Sequence, residues 1–482
     1  MRSLLTLPLC ALLLTAAAPG QEASPVSRPS YDPCAADQFQ WSKLPDVLPA
    51  SPAERETWAH ALALDAAVYG GLAVAQYWQM YAQGVDTKDP DYTGFNRFHH
   101  ERRLAYPGYK AFKTPNVDTL YSNAWLDLTG GPVLVTVPPM DTPSLDKGRY
   151  FAFNLLDAYG NASNISTRIQ GNGGGTYLVA TTDWQGTVPP GATLFRVTTP
   201  YVWVLLRIKA NDAADAKRVA KLQDAFTLTP TAAHDGPAPQ FPDAADRSAI
   251  GYFRMLDFIL RANGHPRSED ALVYRWHGIG LAGPKSLDTA LADPAIRKGL
   301  ERGHADAMKV IADSVTQAGL HLDHWRSPYD AGRMGWNYLE RTGLMIATGA
   351  NVPTENYAFV TYVDADGDPL DGSRYTYELV QTPPPAKYYW SYTPYLRENR
   401  ELIPNAAQKY IINDRTPGLK HEPDGQLRVV LSAVRPKGVA AANWLPVSGA
   451  PFVLAIRSQG PDKALLDGTW TPAPIRKLGP VR

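Results

Sequence analysis

The chain has few cysteines, no excess of charge of either sign and one long apolar run, at its N-terminus. Among 482 residues there are two cysteines, and Lys plus Arg equals Asp plus Glu at 47 each. Cys10 falls in a predicted leader, which leaves Cys34 alone, so stability must come from burial and not from disulfides. The balanced charge argues against nucleic-acid binding, which needs a basic surplus. No later run reaches about eighteen apolar residues, so we expect no membrane span in the mature protein.

Several motifs of known chemistry are also absent. The sequence has no G-x-S-x-G elbow, no dinucleotide-binding glycine motif and no HExxH pattern among its ten histidines. The cluster Gly171–Gly175 opens a strand-like segment and lacks the lysine and helix of a phosphate loop, so a flexible turn is expected. His321 and His324 have only a two-ligand spacing and are expected at the surface. We therefore predict no organic cofactor and no catalytic metal.

The first twenty residues are typical of a secretory signal. Arg2 precedes the apolar run Leu4–Ala18, and small residues stand at Ala18 and Gly20. We expect cleavage before Gln21, which gives a signal peptide at 1–20 and a periplasmic or secreted protein. Residues 21–50 are rich in Pro, Ser and Asp and are predicted to be a linker.

Helical and strand-like patterns divide the rest of the chain into three regions. These are 51–211, an N-terminal helix plus β-sandwich; 212–350, a helical domain; and 351–482, a C-terminal β-sandwich. The first helix is expected to begin after the N-cap Ser51, and two later helices at Pro294–Gln317 and Arg333–Thr348. Short strands separated by Pro and Gly at intervals of about ten residues favour sandwiches. The predicted fold class is mainly β with helical insertions.

Spaced motifs along most of this length carry a family resemblance. The N-terminal motifs are His100–Leu104, Pro115–Ser122, Trp125–Leu128, Arg149–Phe153, Thr167-Arg168 and Gly171–Gly173. The C-terminal motifs are Asp364–Gly367, Leu370–Ser373, Trp390-Ser391, Asp414–Thr416, Asn443–Pro446 and Leu466–Trp470. Together they resemble the paired domain-of-unknown-function 1254 and domain-of-unknown-function 1214 family. The resemblance implies an immunoglobulin-like sandwich, a helical middle segment, a jelly-roll-like sandwich, and an exported, often oligomeric bacterial protein with no settled reaction.

The segment Pro115–Ser122 concentrates an amide, a carboxylate, hydroxyls and a phenol. If the segment is extended, Asn116 and Asp118 point to the same side and can orient water or a substrate hydroxyl. We predict Asp118 and Tyr121 as catalytic groups, with His100 as a general base, and Asn116 and Thr119 as substrate-binding residues. The alternative is an Asx-turn that only caps loop backbone groups.

Arginines within strand-like segments raise a second question. An unpaired buried charge is very costly, so Arg168 either pairs with Asp118 as structure or holds a substrate carboxylate or sulfate. Arg457 poses the same question in the last region. The predicted substrate-binding set from that region consists of Arg374, Arg415, Trp390 and Trp444. Tryptophan and tyrosine rings suit carbohydrate or aromatic ligands.

The run Asp364–Gly372 resembles a calcium loop in its opening. It lacks the last glutamate and the flanking helices of an EF-hand, so a tight turn is expected and a structural Ca²⁺ stays open.

These residues favour an exported enzyme that acts on a small or oligomeric polar substrate, such as an oligosaccharide. The expected reaction is cofactor-free hydrolysis or lysis by a carboxylate or histidine, with Tyr and Arg donors, in a pocket between the sandwiches. Two alternatives stay open. One is a non-catalytic ligand-binding or assembly protein that forms a homo-oligomer, since double sandwiches often serve as lectin-like or shell-forming modules. The other is a metal-dependent oxidoreductase.

Overall fold

The computed structural model describes residues 47–109, 113–140, 148–232, 239–344, 349–447 and 449–481. The predicted signal peptide 1–20 and most of the predicted linker 21–50 lie outside these residues. The described residues belong to one compact unit, Val47–Arg482.

The first half of the chain forms two antiparallel-rich sheets. Its strands are β1 (His99–His100), β2 (Thr119–Asp127), β3 (Val133–Val137), β4 (Phe151–Leu156), β5 (Ala162–Ser166), β6 (Gly175–Thr181), β7 (Ala192–Val197), β8 (Tyr201–Lys209) and β9 (Thr227–Pro230). One sheet has the order β1-β2-β8-β4-β5, and the other has the order β7-β6-β3-β9. Only β6 and β7 of this set pair in parallel.

Strand alternation explains how these two sheets meet. In β8 the side chains of Val202, Val204 and Leu206 pack with Val133 and Val135 of the other sheet in one hydrophobic core. The intervening residues point to the opposite face, because successive side chains of a strand alternate. Both faces of the first sheet are therefore covered, and its central strands are buried along almost their whole length.

The described helices are α1 (Pro52–Gly84), α2 (Ala213–Ala225), α3 (Ala249–Asn263), α4 (Asp270–Arg275), α5 (Leu287–Leu291), α6 (Pro294–Ser314), α7 (Tyr338–Gly343) and α8 (Lys463–Leu466). Residues of α1, α3, α5 and α6 pack with Trp125 and Trp203 on the outer face of the first sheet. By contrast, α2 packs in the core between the first two sheets, and α8 packs in the C-terminal core. The predicted caps are confirmed: the Ser51 hydroxyl accepts from the Glu54 amide, and the Asp293 carboxylate accepts from the Ala295 amide. Proline follows each cap at the first helical position, where its missing N–H is not needed.

Two glycines bring α6 against α1. A Cβ at Gly299 would lie 2.5 Å from the Ala59 Cβ, and one at Gly303 would lie 2.6 Å from the His60 carbonyl oxygen.

Among the described helices, α1 is the one long and apolar enough to cross a membrane by length and composition alone. Its residues Leu62 and Ala66 are fully buried in the helical core.

The last part of the chain builds a second pair of sheets. Its strands are β10 (Leu320–Leu322), β11 (Trp325–Ser327), β12 (Asn356–Thr361), β13 (Tyr375–Gln381), β14 (Ala386–Leu396), β15 (Ile412–Asn413), β16 (Leu427–Ser432), β17 (Trp444–Pro446), β18 (Phe452–Pro461) and β19 (Arg476–Pro480). The sheet orders are β10-β11-β12-β18-β14-β15 and β17-β16-β13-β19. Side chains of both sheets share one core, which includes Phe359, Tyr377 and Ile456.

The β-rich fold with helices is thus confirmed, with four sheets in two pairs. The helix predicted at Arg333–Thr348 is too long: of the described residues, only Tyr338–Gly343 is α-helical there. Gly332 has a positive φ, and the Arg333 N–H donates a hydrogen bond to the Asp330 carbonyl that closes a turn, so the helix starts later, after the N-cap Asn337. The boundaries of the three predicted regions stay predictions.

Candidate functional site

One face of the first sheet changes from aromatic to polar along its strands. In the register of β2 and β8, Trp125 lies opposite Trp203, and Tyr121 lies opposite Arg207. The two tryptophan rings stack with centroids 5.7 Å apart and pack in the helical core. Because residues two apart share a face, Tyr121 and Arg207 continue this face beyond the helices. The sheet therefore presents a phenol and a guanidinium side by side.

This polar end forms one wall of a cavity of about 530 Å³. The opposite wall comes from the C-terminal sheet, where Asn356 and Ala358 of β12 and Arg457 of β18 face inward. The remaining surface comes from loops such as the segment Lys113–Asn116. The volume lies within the usual range for small-molecule sites.

The charges that line this cavity are all positive among the described residues. They are Lys113, Arg207, Arg326, Arg397, Arg400 and Arg457. Lys113 has a carboxylate nearby, since its Nζ lies 3.7 Å from Oε1 of Glu401. Within the described part of the chain, no ion pair to a carboxylate within 4.0 Å is found for the five arginines. The cavity is thus lined by six cationic side chains, and an anion that enters it is attracted by their charge.

Neutral groups hold the arginines in place. The Arg457 guanidinium donates to the Tyr395 hydroxyl at 2.8 Å and to the Thr114 carbonyl at 2.6 Å. Arg207 donates to the Gly349 carbonyl. Burial raises the pKa of Tyr395, so its hydroxyl stays protonated at neutral pH. These partners orient the guanidinium groups, and none of them is a carboxylate.

Two buried donors at this cavity have no acceptor among the described residues. They are Nη1 of Arg207 and Nδ2 of Asn356. Buried polar atoms in proteins are nearly always hydrogen-bonded, and an unmet donor costs about 1–3 kcal/mol. Both residues line the cavity, so these two unmet donors lie in its wall.

The backbone at the cavity edge is strained at two positions. Thr114 has φ +48° and Arg400 has φ +61°, in the left-handed region that side chains with a Cβ rarely adopt. The Thr114 amide donates to the Arg400 carbonyl at 3.1 Å, so the two positions support each other. Strain of this kind concentrates at ligand-binding and catalytic sites.

Family models match the sequence on both sides of this cavity. Residues 95–230 match the protein of unknown function family DUF1254, and residues 355–463 match the protein of unknown function family DUF1214. The chain belongs to the DUF1254/DUF1214 family. The DUF1254 region supplies Tyr121 and Arg207, and the DUF1214 region supplies Arg397, Arg400 and Arg457. The cavity is therefore built jointly by the two family regions.

A solved structure agrees with this fold. The VPA0106 protein of Vibrio parahaemolyticus is similar to the chain with a TM-score of 0.69 and 24% identity, over 87% of this chain and 100% of that one. An uncharacterized protein from Burkholderia cenocepacia has a TM-score of 0.40 and 13% identity, with 89% of each chain covered. The comparison with curated proteins gave no match.

Two of the predicted site residues in the DUF1254 region reach the cavity. Asn116 and Tyr121 both line it, and the Asn116 amide donates to the Tyr121 hydroxyl at 2.9 Å. His100, Asp118, Thr119 and Arg168 are absent from the described lining.

Asp118 and Thr119 form a separate contact with the DUF1214 region. The Asp118 carboxylate accepts from Arg415 at 2.9 Å and from the Asn413 amide group at 3.3 Å. The Thr119 hydroxyl lies 3.4 Å from the Tyr389 hydroxyl, and the Arg415 guanidinium lies 4.9 Å over the Tyr389 ring. Three predicted residues, Asp118, Thr119 and Arg415, are thus brought together beside the cavity and not within it.

Arg168 does not pair with Asp118, so that structural alternative is wrong. Its Nε lies 2.7 Å from Oε2 of Glu355, a fully buried carboxylate that also accepts from Tyr150 at 2.8 Å and Ser166 at 3.1 Å. Two strands, β8 and β4, separate β2 from β5 in the sheet, which places Arg168, just after β5, far from Asp118. Arg168 therefore joins the DUF1254 region to Glu355.

His100 lies on the edge strand β1. Its Nδ1 is 2.8 Å from the Ser122 hydroxyl, and its ring stacks on Phe98 with centroids 5.2 Å apart. Burial, with a contribution from Arg102, lowers the pKa of His100 to about 4. The imidazole is thus neutral at neutral pH.

The other three predicted residues also lie away from the cavity. Arg374 lies 5.2 Å over the Tyr375 ring. Trp390 packs edge-on against Tyr392 in the C-terminal core. The Trp444 indole donates to the Ser432 hydroxyl at 3.0 Å. Each has a structural partner in the DUF1214 region.

Sequence reasoning missed four of the cavity arginines. Arg207 had a usable signal, because it interrupts the apolar residues of β8 (Tyr201–Lys209), and a charge in a buried strand is costly unless it has a partner or a function. Arg326 lies in the three-residue strand β11, and Arg397 and Arg400 follow the end of β14, so all three are in short or irregular segments where an arginine is usually a surface residue.

The Asp364–Gly372 turn carries three carboxylates within reach of one cation. Oxygen atoms of Asp364, Asp366 and Asp368 lie within 4.8 Å of one another. The Nζ of Lys477 lies 3.2 Å from Asp364 and 2.8 Å from Asp368. An ammonium group thus already balances part of this negative charge, and the calcium hypothesis stays a prediction.

Proposed function

We propose that this protein binds a small organic anion in the cavity between its DUF1254 and DUF1214 regions. The observation that carries the proposal is the set of five lining arginines without a carboxylate partner among the described residues. Partly buried guanidinium groups are expensive to leave unpaired, and a bound anion supplies the missing charge.

The kind of anion follows from the side chains. Arginine presents paired N–H donors that match the geometry of carboxylate and phosphate oxygens. The cavity also has apolar and aromatic lining, which includes Leu205, Leu344 and Tyr329. Such a surface packs against a hydrocarbon or ring body. A carboxylate or phosphate on a partly apolar molecule fits this combination better than a neutral oligosaccharide does.

The test compares a panel of anionic, neutral and cationic metabolites by thermal shift, followed by calorimetry. Anions are expected to raise Tm, with affinities that fall as salt rises. The variant Arg207→Gln should weaken binding at least about tenfold, which is about 1.4 kcal/mol. The matched control is Arg247→Gln, an exposed arginine that lies 3.9 Å over the Trp78 ring and does not line the cavity. Preferential binding of neutral ligands, or equal effects of the two variants, would overturn the proposal.

Catalysis on the bound anion is the second candidate function. Tyr121 supports it, because this predicted catalytic phenol lines the cavity beside Arg207. A cofactor-free hydrolase or lyase would use the phenol as proton donor and the arginines to stabilise developing negative charge. The described lining has no Asp, Glu, His or Cys, so it offers neither a carboxylate base nor the usual ligands of a catalytic metal. This donor set favours binding or lysis over a metal-dependent oxidoreductase.

Product analysis separates these two functions. The protein is incubated with each ligand that binds, and the ligand is then examined by mass spectrometry. Conversion that is lost in Tyr121→Phe supports an enzyme, whereas recovery of unchanged ligand supports a binding protein.

The proposal places the protein outside the cytoplasm, as an exported homo-oligomer. The support is the secretory pattern of residues 1–20 and the family resemblance. Cell fractionation followed by N-terminal sequencing should find the chain in the periplasm or medium, starting at Gln21, and light scattering should give more than one subunit. The finer architecture that we propose is an immunoglobulin-like first sandwich and a jelly-roll-like last one. Each pair of sheets that shares a core supports it.

A further inference from the structure

The cavity arginines fall into two groups at different depths. The inner pair is Arg207 and Arg457, which project from the two facing sheets toward Tyr121. Arg207 lies 5.8 Å over the Tyr121 ring, and one of its nitrogens is buried without an acceptor among the described residues. The inner pair therefore forms one site for negative charge.

The outer cluster consists of Arg326, Arg397 and Arg400 around a single ring. Their guanidinium carbons lie 5.8, 6.0 and 4.8 Å from the centroid of Tyr362. Arg397 is exposed and Arg400 is half-buried, so this cluster lies toward solvent. Three like charges around one ring repel each other, and a ring face relieves only part of that repulsion. The outer cluster is a second site for negative charge.

The strand β12 sets the distance between the two sites. Arg457 of the inner pair lies opposite Ala358, and Arg326 of the outer cluster lies opposite Val360. Tyr362 is two residues further along. At about 3.3 Å per residue, the centres of the two sites are about 7–13 Å apart along the strand. The lining between them includes Ala358 and Val360, which are apolar.

We infer that the ligand is a dianion with an acidic group at each end of a mainly apolar segment. One end binds the inner pair, and the other binds the outer cluster. This inference rests on the proposed function and narrows it. The shared chemistry is two anionic oxygen groups, which carboxylates or phosphate esters can supply.

Calorimetry with matched probes tests the inference. The probes are the dicarboxylates succinate, adipate, suberate and sebacate, with octanoate as the monocarboxylate matched to suberate. We expect suberate or sebacate to bind at least about tenfold more tightly than octanoate and than succinate, which is too short to reach both sites. A parallel series of α,ω-alkanediol bisphosphates shows whether phosphate replaces carboxylate.

Variants separate the two sites. The double variant Arg397→Gln, Arg400→Gln should lower suberate affinity to the level of octanoate and leave octanoate unchanged. Arg207→Gln should weaken both probes, and Arg247→Gln should weaken neither. Among the described residues, no carboxylate lies within 4.0 Å of these two outer guanidinium groups, so the double variant loses no ion pair, and a retained Tm confirms that it folds.

The failures of the two proposals are distinguishable. Equal binding of octanoate and suberate, with no effect of the outer variant, would reject the dianion and keep the anion site. If Arg207→Gln also leaves binding of both probes unchanged, the dianion and the anion site are both rejected. If no dicarboxylate or bisphosphate binds, the dianion is rejected, and the wider anion panel decides the proposed function.

Discussion

The carboxylate of Asp118 is paired with the guanidinium of Arg415 at 2.9 Å. Asp118 belongs to the DUF1254 region and Arg415 to the DUF1214 region, so the pair joins residues 297 positions apart. Asp118 is 3% exposed, and the Arg415 side chain is 20% exposed. This buried contact ties the two halves together beside the cavity.

Replacing Asp118 with Asn should therefore lower the free energy of unfolding and have little effect on the affinity for the anion. Removal of one partner leaves a charge without compensation, which costs about 3 kcal/mol at the lower end of the range for buried pairs. The Asp414 carboxylate, 2.5 Å from Arg415, limits the loss. Urea unfolding measures the change. The exposed pair of Asp288 and Arg254 gives the control, since Asp288→Asn should cost less than about 1 kcal/mol. A large loss of anion affinity with unchanged stability would contradict the structural role.

Replacing Tyr121 with Phe should leave the Asn116 amide without its acceptor. Asn116 is 9% exposed, so the unmet N–H should lower the free energy of unfolding by about 1–3 kcal/mol. The half-exposed Tyr106 supplies the control, and Tyr106→Phe should change stability by less than about 0.5 kcal/mol. Chemical denaturation of both variants provides the comparison. Equal stabilities would show that the hydrogen bond contributes little.

Lys209 should make stability rise with pH on the alkaline side. Burial, with the nearby Arg415 charge, lowers the pKa of Lys209 from 10.5 to about 8, against the attraction of Asp414 and Asp118. Between pH 8 and 10.5 the unfolded chain therefore holds a proton that the folded chain has lost, and folding becomes more favourable as pH rises. Below pH 8 the full cost of the buried ammonium is present, about 3 kcal/mol.

Lys209→Met should remove this dependence. The variant is expected to be more stable than the parent at pH 7, with a difference that shrinks toward pH 10.5. Unfolding free energies at pH 7, 9 and 10.5 measure the difference, with the exposed Lys437→Met as control. A constant difference across these pH values would contradict a lowered pKa at Lys209.

The ammonium group of Lys477 should take the place of a calcium ion among the three aspartates of the Asp364–Gly372 turn. Its ammonium lies among Asp364, Asp366 and Asp368, and these carboxylates raise the pKa of Lys477. Lys477→Met should lower Tm in EDTA, and Ca²⁺ at about 1 mM should restore it. Lys463→Met, which removes a lysine paired with a single carboxylate at 2.6 Å, should not respond to Ca²⁺. A parent protein whose Tm falls in EDTA would instead indicate a resident cation.

Sequence patterns of a few residues, such as an N-cap followed by proline, correctly predicted where two long helices begin. Ser51 before Pro52 and Asp293 before Pro294 start α1 and α6, because a cap needs only the next few residues. The prediction at Arg333–Thr348 was too long, since periodicity alone did not register the turn after Gly332. Sheet order was beyond local rules: β8 lies between β2 and β4, and this pairing depends on contacts distant in sequence.

In the candidate site, too, some residues were predicted from the sequence and others were placed differently by the tertiary structure. Asn116 and Tyr121 were found because the sequence concentrates polar groups in one short segment, and both line the cavity. Asp118, two residues from Asn116, was expected on the same face, yet it turns to Arg415. The segment before β2 is not extended strand, so the alternation rule did not apply there.

The sequence by itself determined the strand and helix content, the family, and the polar segment at Asn116 to Tyr121, because these depend on neighbouring residues. The tertiary structure alone decided that five arginines, from Arg207 to Arg457, line one cavity. Their positions span 250 residues, and no local pattern fixes which distant charges meet. That choice is made when the two pairs of sheets fold and pack.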